Sequence, residues 1–243
     1  MSTPRLLIIQ HEDDCTPAWF GEWFAEAGLD YDVVLGHRGH PIPDALDGYT
    51  GLVVLGGEMG ANDDAACPWL TPTKALIARS VADGAWFLGI CLGHQLAAVA
   101  LGGEVVVNPH GQALGLMQIR LTEAGRRDEL MGVIGDGARS LQWNSDIVSR
   151  LPASAVELAT AADGTVQAAR FGARAWGVQF HPEASPEVFD TWARAATSAR
   201  PDDGPELAAV SAELSSAKAE LRRDWAALAH RWAQLVVAPV PVT

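Results

Sequence analysis

Along the first hundred residues, short continuous apolar runs alternate with segments of helical period. Arg5–Gln10 (RLLIIQ) and residues 32–35 (DVVL), 51–55 (GLVVL) and 85–90 (AWFLGI) read as strands. They are apolar at consecutive rather than alternate positions, the pattern of strands buried on both faces of a parallel sheet. Between the first two, Thr16 and Pro17 predict a helix start, with Thr16 as cap and Pro17 at the first helical position, running to about Ala27 and stopping at Gly28. Residues 72–83 predict a second helix, ended by Gly84, and residues 92–101 a third that follows the fourth strand directly. This β-α-β alternation predicts an α/β fold: an open, mostly parallel sheet with helices on both faces.

Beyond Gly102-Gly103 the pattern changes. Residues 104–108, 116–121, Val156–Thr160, 166–171 and 175–180 are strand candidates separated by turns, expected to add antiparallel or mixed strands to the sheet. Residues 185–198 predict a helix capped by Ser185 and opened by Pro186. A linker or sharp turn follows at residues 200–205 (RPDDGP). Residues 206–237 then carry Leu207, Val210, Leu214, Ala217, Leu221, Trp225, Leu228, Trp232 and Leu235 at three- and four-residue steps, one apolar stripe on a long helix or on two helices in line. The stripe either docks on the domain's own core, as amphipathic faces mostly do, or forms a dimer or partner surface, which keeps a homodimer open. The expected organisation is one α/β domain over residues 1–199 and a helical extension over 200–243, with no internal repeat.

Composition narrows the function classes. The chain has 243 residues, 49% of them hydrophobic, enough to bury a sizeable core. With 17 basic and 30 acidic residues its net charge is −13, and the only lysines are Lys74 and Lys218. Such a balance repels phosphate backbones and argues against nucleic-acid binding. No apolar run reaches the length of a membrane span, and residues 1–5 lack the charged and apolar regions of a signal peptide, so a soluble, cytoplasmic protein is expected. The three cysteines, Cys15, Cys67 and Cys91, are widely spaced, and His37, His40 and His110 show no ligand spacing. Neither a disulfide framework nor a metal site is implied, and no cofactor. Cys15 and Cys67 read as small packed thiols. His11 and the acidic Glu12, Asp13 and Asp14 follow the first strand and read as a solvated loop, with His11 able to line a crevice.

Cys91 has different neighbours. In Gly89-Ile90-Cys91-Leu92-Gly93-His94-Gln95 a strand ends, one residue turns sharply and a helix begins, with small residues two before and two after the turn. This is the geometry of a nucleophile elbow with sulfur in place of a hydroxyl. It exposes the sulfur at the carboxyl end of the sheet, where open α/β folds bind ligands, and at a helix N-terminus that favours negative charge there. His94 is accounted for as a residue of that helix. Gly177-Val178-Gln179-Phe180-His181-Pro182-Glu183 supplies a proton carrier: His181 sits just past an apolar strand, and Glu183, two residues on, can accept its ring N–H. Leu55-Gly56-Gly57-Glu58-Met59-Gly60 follows another strand, and its glycines permit close backbone approach. A backbone N–H there, from Gly57, can pair with that of Leu92 as an oxyanion hole. Singly, each segment reads equally well as structural; together, in order and each at a strand end, they point to chemistry.

The three segments resemble the triad-type (class I) glutamine amidotransferase domain, close in style to that of GMP synthase, over roughly residues 5–195. The resemblance implies Cys91 as nucleophile attacking the glutamine side-chain amide, His181 as general acid/base and Glu183 as its orienter. It also implies Gly57 and Leu92 as oxyanion donors, and Gly56, Gln95, Asn144 and Ser145 as contacts to bound glutamine. The chain departs from the family pattern twice: Glu58 stands where a proline is common, and Gln142-Trp143-Asn144-Ser145-Asp146 stands where a Ser-His-Gly-Asp run is usual. The expected function is hydrolysis of glutamine to glutamate and ammonia through a γ-glutamyl thioester. The ammonia would pass to an unidentified acceptor or a synthase subunit on another chain, since the sequence has no phosphate-binding loop. The alternatives are a stand-alone hydrolase of other γ-glutamyl amides or peptides, and a non-catalytic assembly module.

Overall fold

The computed structural model describes residues 4–238. In chain order, β1 (Arg5–Gln10), α1 (Ala18–Glu26), β2 (Asp30–Leu35), β3 (Gly51–Val54), α2 (Leu70–Ala82), β4 (Trp86–Ile90) and α3 (Leu92–Ala100) form the first half. The second half comprises β5 (Glu104–Val107), β6 (Ala113–Gln118), β7 (Arg120–Leu121), α4 (Glu123–Arg127), β8 (Arg139–Asn144), β9 (Asp146–Arg150), β10 (Val156–Thr160), β11 (Val166–Gly172), β12 (Ala175–Val178), α5 (Pro186–Ala199) and α6 (Gly204–Val237). The main sheet has eight strands in the order β2-β1-β3-β4-β12-β11-β10-β7. The pairs from β2 through β4 to β12 are parallel, and β12, β11, β10 and β7 continue antiparallel. Two small antiparallel pairs, β5 with β9 and β6 with β8, stand beside it.

The continuous apolar strands behave as expected of a sheet covered on both sides. Leu6 and Ile8 of β1 join one core with α1, α5 and α6, while Leu7 and Ile9 join the other with α2 and α3. Successive side chains point to opposite faces, so a run buried at every position needs helices above and below.

Several boundaries differ from expectation for identifiable reasons. The strand expected over 116–121 divides into β6 and β7, which pair with different partners, β8 and β10. β8, β9 and α4 lie where the sequence pattern predicts no element; β8 and β9 are rich in polar residues, and their partners, β6 and β5, come from distant segments. Thr16 does not cap α1: Pro17 occupies that position and makes no side-chain cap. Instead the Trp19 N–H donates to the Glu183 carbonyl at 3.1 Å, so a remote turn satisfies a free helix N–H. Ser185 does cap α5, its hydroxyl accepting from the Val188 N–H at 3.3 Å.

The C-terminal stripe lies on one continuous helix of 34 residues. Leu207, Leu214, Ala217, Leu221, Trp225, Leu228 and Trp232 are buried against the sheet and α1. Trp232 meets Phe24 with ring centroids 5.3 Å apart, and Trp225 meets Phe180 at 4.9 Å. The Trp225 indole also donates to the Arg139 carbonyl at 3.1 Å, and Arg139 forks onto Glu220 at 3.1 and 2.9 Å. These side chains dock on the chain's own core, the first of the two expectations for the stripe.

Candidate active site

The order of strands reverses around β1, with β2 on one side and β3 on the other, and the crevice at such a switch point is where α/β sheets take ligands. Loops after β1, β3, β4 and β12 meet there around a cavity of about 840 Å³. Its lining includes Glu12, Cys15, Gly57, Glu58, Cys91, Gln95, Asn144, Asp146, His181 and Trp192.

Cys91 is the turn between β4 and α3, with φ 50° and ψ −106°. A non-glycine residue holds a positive φ only where its surroundings impose it. The imposing contacts are close: a Cβ on Gly93 would lie 2.0 Å from the Val54 carbonyl oxygen, and one on Gly89 2.6 Å from the Gly93 carbonyl. The glycines on either side thus let α3 pack onto β3 and β4, and the Cys91 N–H donates to the Val178 carbonyl at 2.8 Å. Cys91 is 5% exposed and lines the cavity, buried but reachable.

His181 follows β12, and its N–H donates to the Leu141 carbonyl of β8 at 2.8 Å. Its Nδ1 lies 2.8 Å from Glu183 Oε1, and both residues are buried. Burial alone pulls the imidazole toward neutrality. The Glu183 carboxylate, with the adjacent Cys91 sulfur, outweighs it and raises His181 to about 10. Trp192 of α5 stands edge-on to the ring, centroids 5.1 Å apart, and is itself tied to the Asp14 carbonyl at 3.1 Å.

The glycine loop adjoins this pair. A Cβ on Gly56 would sit 2.9 Å from His181 Cε1 and 3.6 Å from Cys91 Cβ. Gly57 lines the cavity beside Leu92, whose side chain is buried and whose N–H belongs to the first turn of α3, which has no acceptor within the helix. Gln95 also lines the cavity, but its Nε2 is committed to the Asp146 carbonyl at 2.9 Å and to Gln179 Oε1 at 3.1 Å. Asn144 Nδ2 donates to the Asp146 carbonyl at 3.0 Å, which leaves Asn144 Oδ1 buried with no partner. Ser145 is exposed on the cavity rim and accepts from Gln112 at 3.2 Å.

Two features escaped the sequence reading. Gln179, fully buried, donates from Nε2 to the Cys91 sulfur at 3.7 Å while accepting from Gln95; a polar residue at the tip of an apolar strand is the signal that marks it. The loop after β1 is not simply solvated. His11 is fully buried, its Nδ1 accepting from the Trp69 indole at 3.1 Å, and Glu12 Oε1 accepts the Glu58 N–H at 2.5 Å. Only Asp13 of that run is exposed, because the switch point folds this loop against the glycine loop. His94 packs in the core against Phe171, and burial lowers it to about 3, so its ring is neutral. Among the described residues Glu12, Asp14 and Cys15 bring ligand-type atoms within 4.8 Å of one another. Burial and the two carboxylates push the Cys15 thiol up, which opposes its use as a thiolate ligand.

A thiol and an imidazole backed by a carboxylate, beside backbone N–H groups in a cleft open to solvent, can carry out acyl transfer. No helix among the described residues is long and apolar enough to cross a membrane. The chain is 28% identical over 189 residues to the glutamine amidotransferase-like protein YfeJ of Salmonella typhimurium, covering 76% of this chain and 78% of that protein. It is 29% identical to gamma-glutamyl peptidase 3 of Arabidopsis thaliana, covering 70% and 69%. The crystal structure of a glutamine amidotransferase from Methylobacillus flagellatus superposes with a TM-score of 0.86 at 26% identity, covering 100% of this chain and 99% of that one. The model of the glutamine amidotransferase class-I family matches residues 22–194, and the chain belongs to that family.

Proposed function

We propose that this protein hydrolyses a γ-glutamyl amide through a thioester on Cys91, with His181 moving the proton and Glu183 orienting His181. Cys91 and His181 line one cavity, and Glu183 stands behind His181 at 2.8 Å; this arrangement is the observation that carries the reading. His181 takes the Cys91 thiol proton as the sulfur attacks the carbonyl carbon of the γ-amide, and the oxygen takes up negative charge facing the Gly57 and Leu92 N–H groups. Each such donor contributes about 3 kcal/mol to the barrier reduction. The carbon–nitrogen bond then breaks, its electron pair going to nitrogen, and the His181 imidazolium supplies the proton that lets the amine leave. Water next attacks the thioester carbon, His181 takes the water proton and returns it to the sulfur, and glutamate departs.

A cavity of about 840 Å³ exceeds what glutamine alone fills and suits a larger γ-glutamyl amide. The similarity to a protein named gamma-glutamyl peptidase supports the same direction. A second reading, glutamine hydrolysis with ammonia handed to a synthase subunit on another chain, draws on the family itself. The test is a panel of γ-glutamyl amides, glutamine included, with release of glutamate as readout. Turnover that vanishes in Cys91→Ala supports the proposal, and a preference for amides larger than glutamine separates its two forms. Absence of glutamate from every amide, together with failure of a glutamine-mimicking electrophile to label Cys91, overturns it in favour of an assembly module.

A further inference from the structure

The cavity wall carries an excess of negative charge that γ-glutamyl chemistry by itself does not require. Glu12, Asp14, Glu58, Asp63 and Asp146 all line it. None of these carboxylates has an ion-pair partner among the described residues. Their neighbours outside the cavity do: Asp13 meets His37 and Arg38, and Asp64 meets Lys74. The basic side chains of the lining are already engaged, His181 by Glu183 and Arg200 by Asp203.

The carboxylates are crowded as well as unpaired. Asp63 Oδ2 and Asp146 Oδ2 flank Gly60, at 3.1 and 3.3 Å from the point its Cβ would occupy. Burial raises the Asp146 carboxyl, and the nearby Asp63 adds to it. Burial likewise raises Glu12, against the lowering effect of the Glu58 N–H, with the Glu58 carboxylate adding to the rise. A separate observation points to a ligand: Asn144, 6% exposed and lining the same cavity, keeps Oδ1 buried without a donor. Glu12 and Asp63 each accept one backbone N–H, from Glu58 at 2.5 Å and Gly60 at 2.7 Å, but none of the five carboxylates meets a cation; with the unmet Asn144 acceptor they call for a ligand rich in N–H donors and positive charge. A γ-glutamyl group brings one ammonium, and its own α-carboxylate cancels that charge. The remaining cation must come from the other side of the scissile bond.

We infer that the amine released by this enzyme is itself cationic, so that the substrate class is a γ-glutamyl derivative of a diamine or polyamine, its distal ammonium held by the Asp63, Asp146 and Glu58 side of the cavity. The inference rests on the γ-glutamyl hydrolase reading above and deepens it. Hydrolysis then adds one water, yields glutamate, and leaves the diamine with both nitrogens protonated.

The test compares γ-glutamylputrescine with its neutral analogue γ-glutamylbutylamide and its anionic analogue γ-glutamyl-γ-aminobutyrate. The cationic amide should have the highest kcat/KM, by about tenfold or more over the neutral one at low salt, and the ratio should shrink as ionic strength rises. Glu58→Gln combined with Asp63→Asn should lower that ratio by a similar factor. Equal kcat/KM for the three amides, or a preference for the neutral or anionic one, overturns the inference while leaving γ-glutamyl hydrolysis standing. Binding to Cys91→Ala by calorimetry gives a readout independent of turnover: tighter binding of the cationic amide supports the inference, and equal or no binding rejects it.

Discussion

Glu183 engages His181 side chain to side chain while its own backbone anchors a helix. Its Oε1 lies 2.8 Å from the imidazole Nδ1, and its carbonyl accepts the Trp19 N–H at the start of α1 at 3.1 Å. The Glu183 carboxylate is therefore fixed by the fold and not by the histidine alone. Loss of the His181 ring removes the proposed proton carrier, whereas Glu183→Gln keeps shape and a hydrogen-bonding oxygen. His181→Ala should lower kcat at least about a hundredfold, and Glu183→Gln by less. Equal losses in steady-state kinetics of glutamate release would mean that the roles are wrongly divided.

The elbow depends on the absence of a side chain at Gly93, where a Cβ would lie 2.0 Å from the Val54 carbonyl oxygen. The obstructing atom is backbone, so relief requires moving β3 or α3. Gly93→Ala should cost at least about 2 kcal/mol of stability and should displace Cys91. Urea unfolding and the rate of Cys91 alkylation check the two effects separately.

Acid should destabilise the fold through two histidines. His11 and His94 are held neutral by burial, each lowered to about 3 from 6.5. Between those values the unfolded chain binds protons that the folded chain refuses, so their contribution is present above about pH 6.5 and is lost as pH falls toward 3. Both ring nitrogens of His94 lack a hydrogen-bond partner, so His94→Leu should flatten this acid limb. Urea midpoints measured from pH 7.5 down to 4 give the comparison; parallel curves for the two proteins would count against it.

His181 acts in the opposite direction. Raised to about 10, it keeps a proton in the folded state that the unfolded chain loses near 6.5. Its stabilisation is complete below about pH 6.5 and is lost as pH climbs through 10. Glu183→Gln removes the main charge that holds this proton, so the variant's stability should fall less steeply over the same range. Urea midpoints at pH 7 and 10 for the two proteins provide the check.

The C-terminal helix supports the site through Trp225, which packs on Phe180, the residue preceding His181. Trp225→Ala should cost about 3–5 kcal/mol, because a fully buried indole leaves a cavity that the sheet cannot close. Removal of α6 altogether should expose the apolar face of α1 and the sheet and yield an aggregating chain. A truncation ending at residue 203 that stays monomeric with native-like unfolding would contradict this.

The parallel half of the sheet, the elbow and the order glycine loop, cysteine, His-x-Glu were all legible in sequence, because each is set by local rules. Consecutive apolar residues mark doubly covered strands, and small residues around Cys91 mark a sharp turn. What sequence could not supply was partnership across the chain. β8 and β9 are too polar to announce themselves, and they become strands only because β6 and β5 lie beside them. Gln179 reaches the Cys91 sulfur, His11 is sealed under Trp69, and five carboxylates share one cavity only because loops from β1, β3 and β8 converge at the switch point. Local backbone preference is encoded residue by residue; burial and charge environment are sums over neighbours that the chain brings together only on folding.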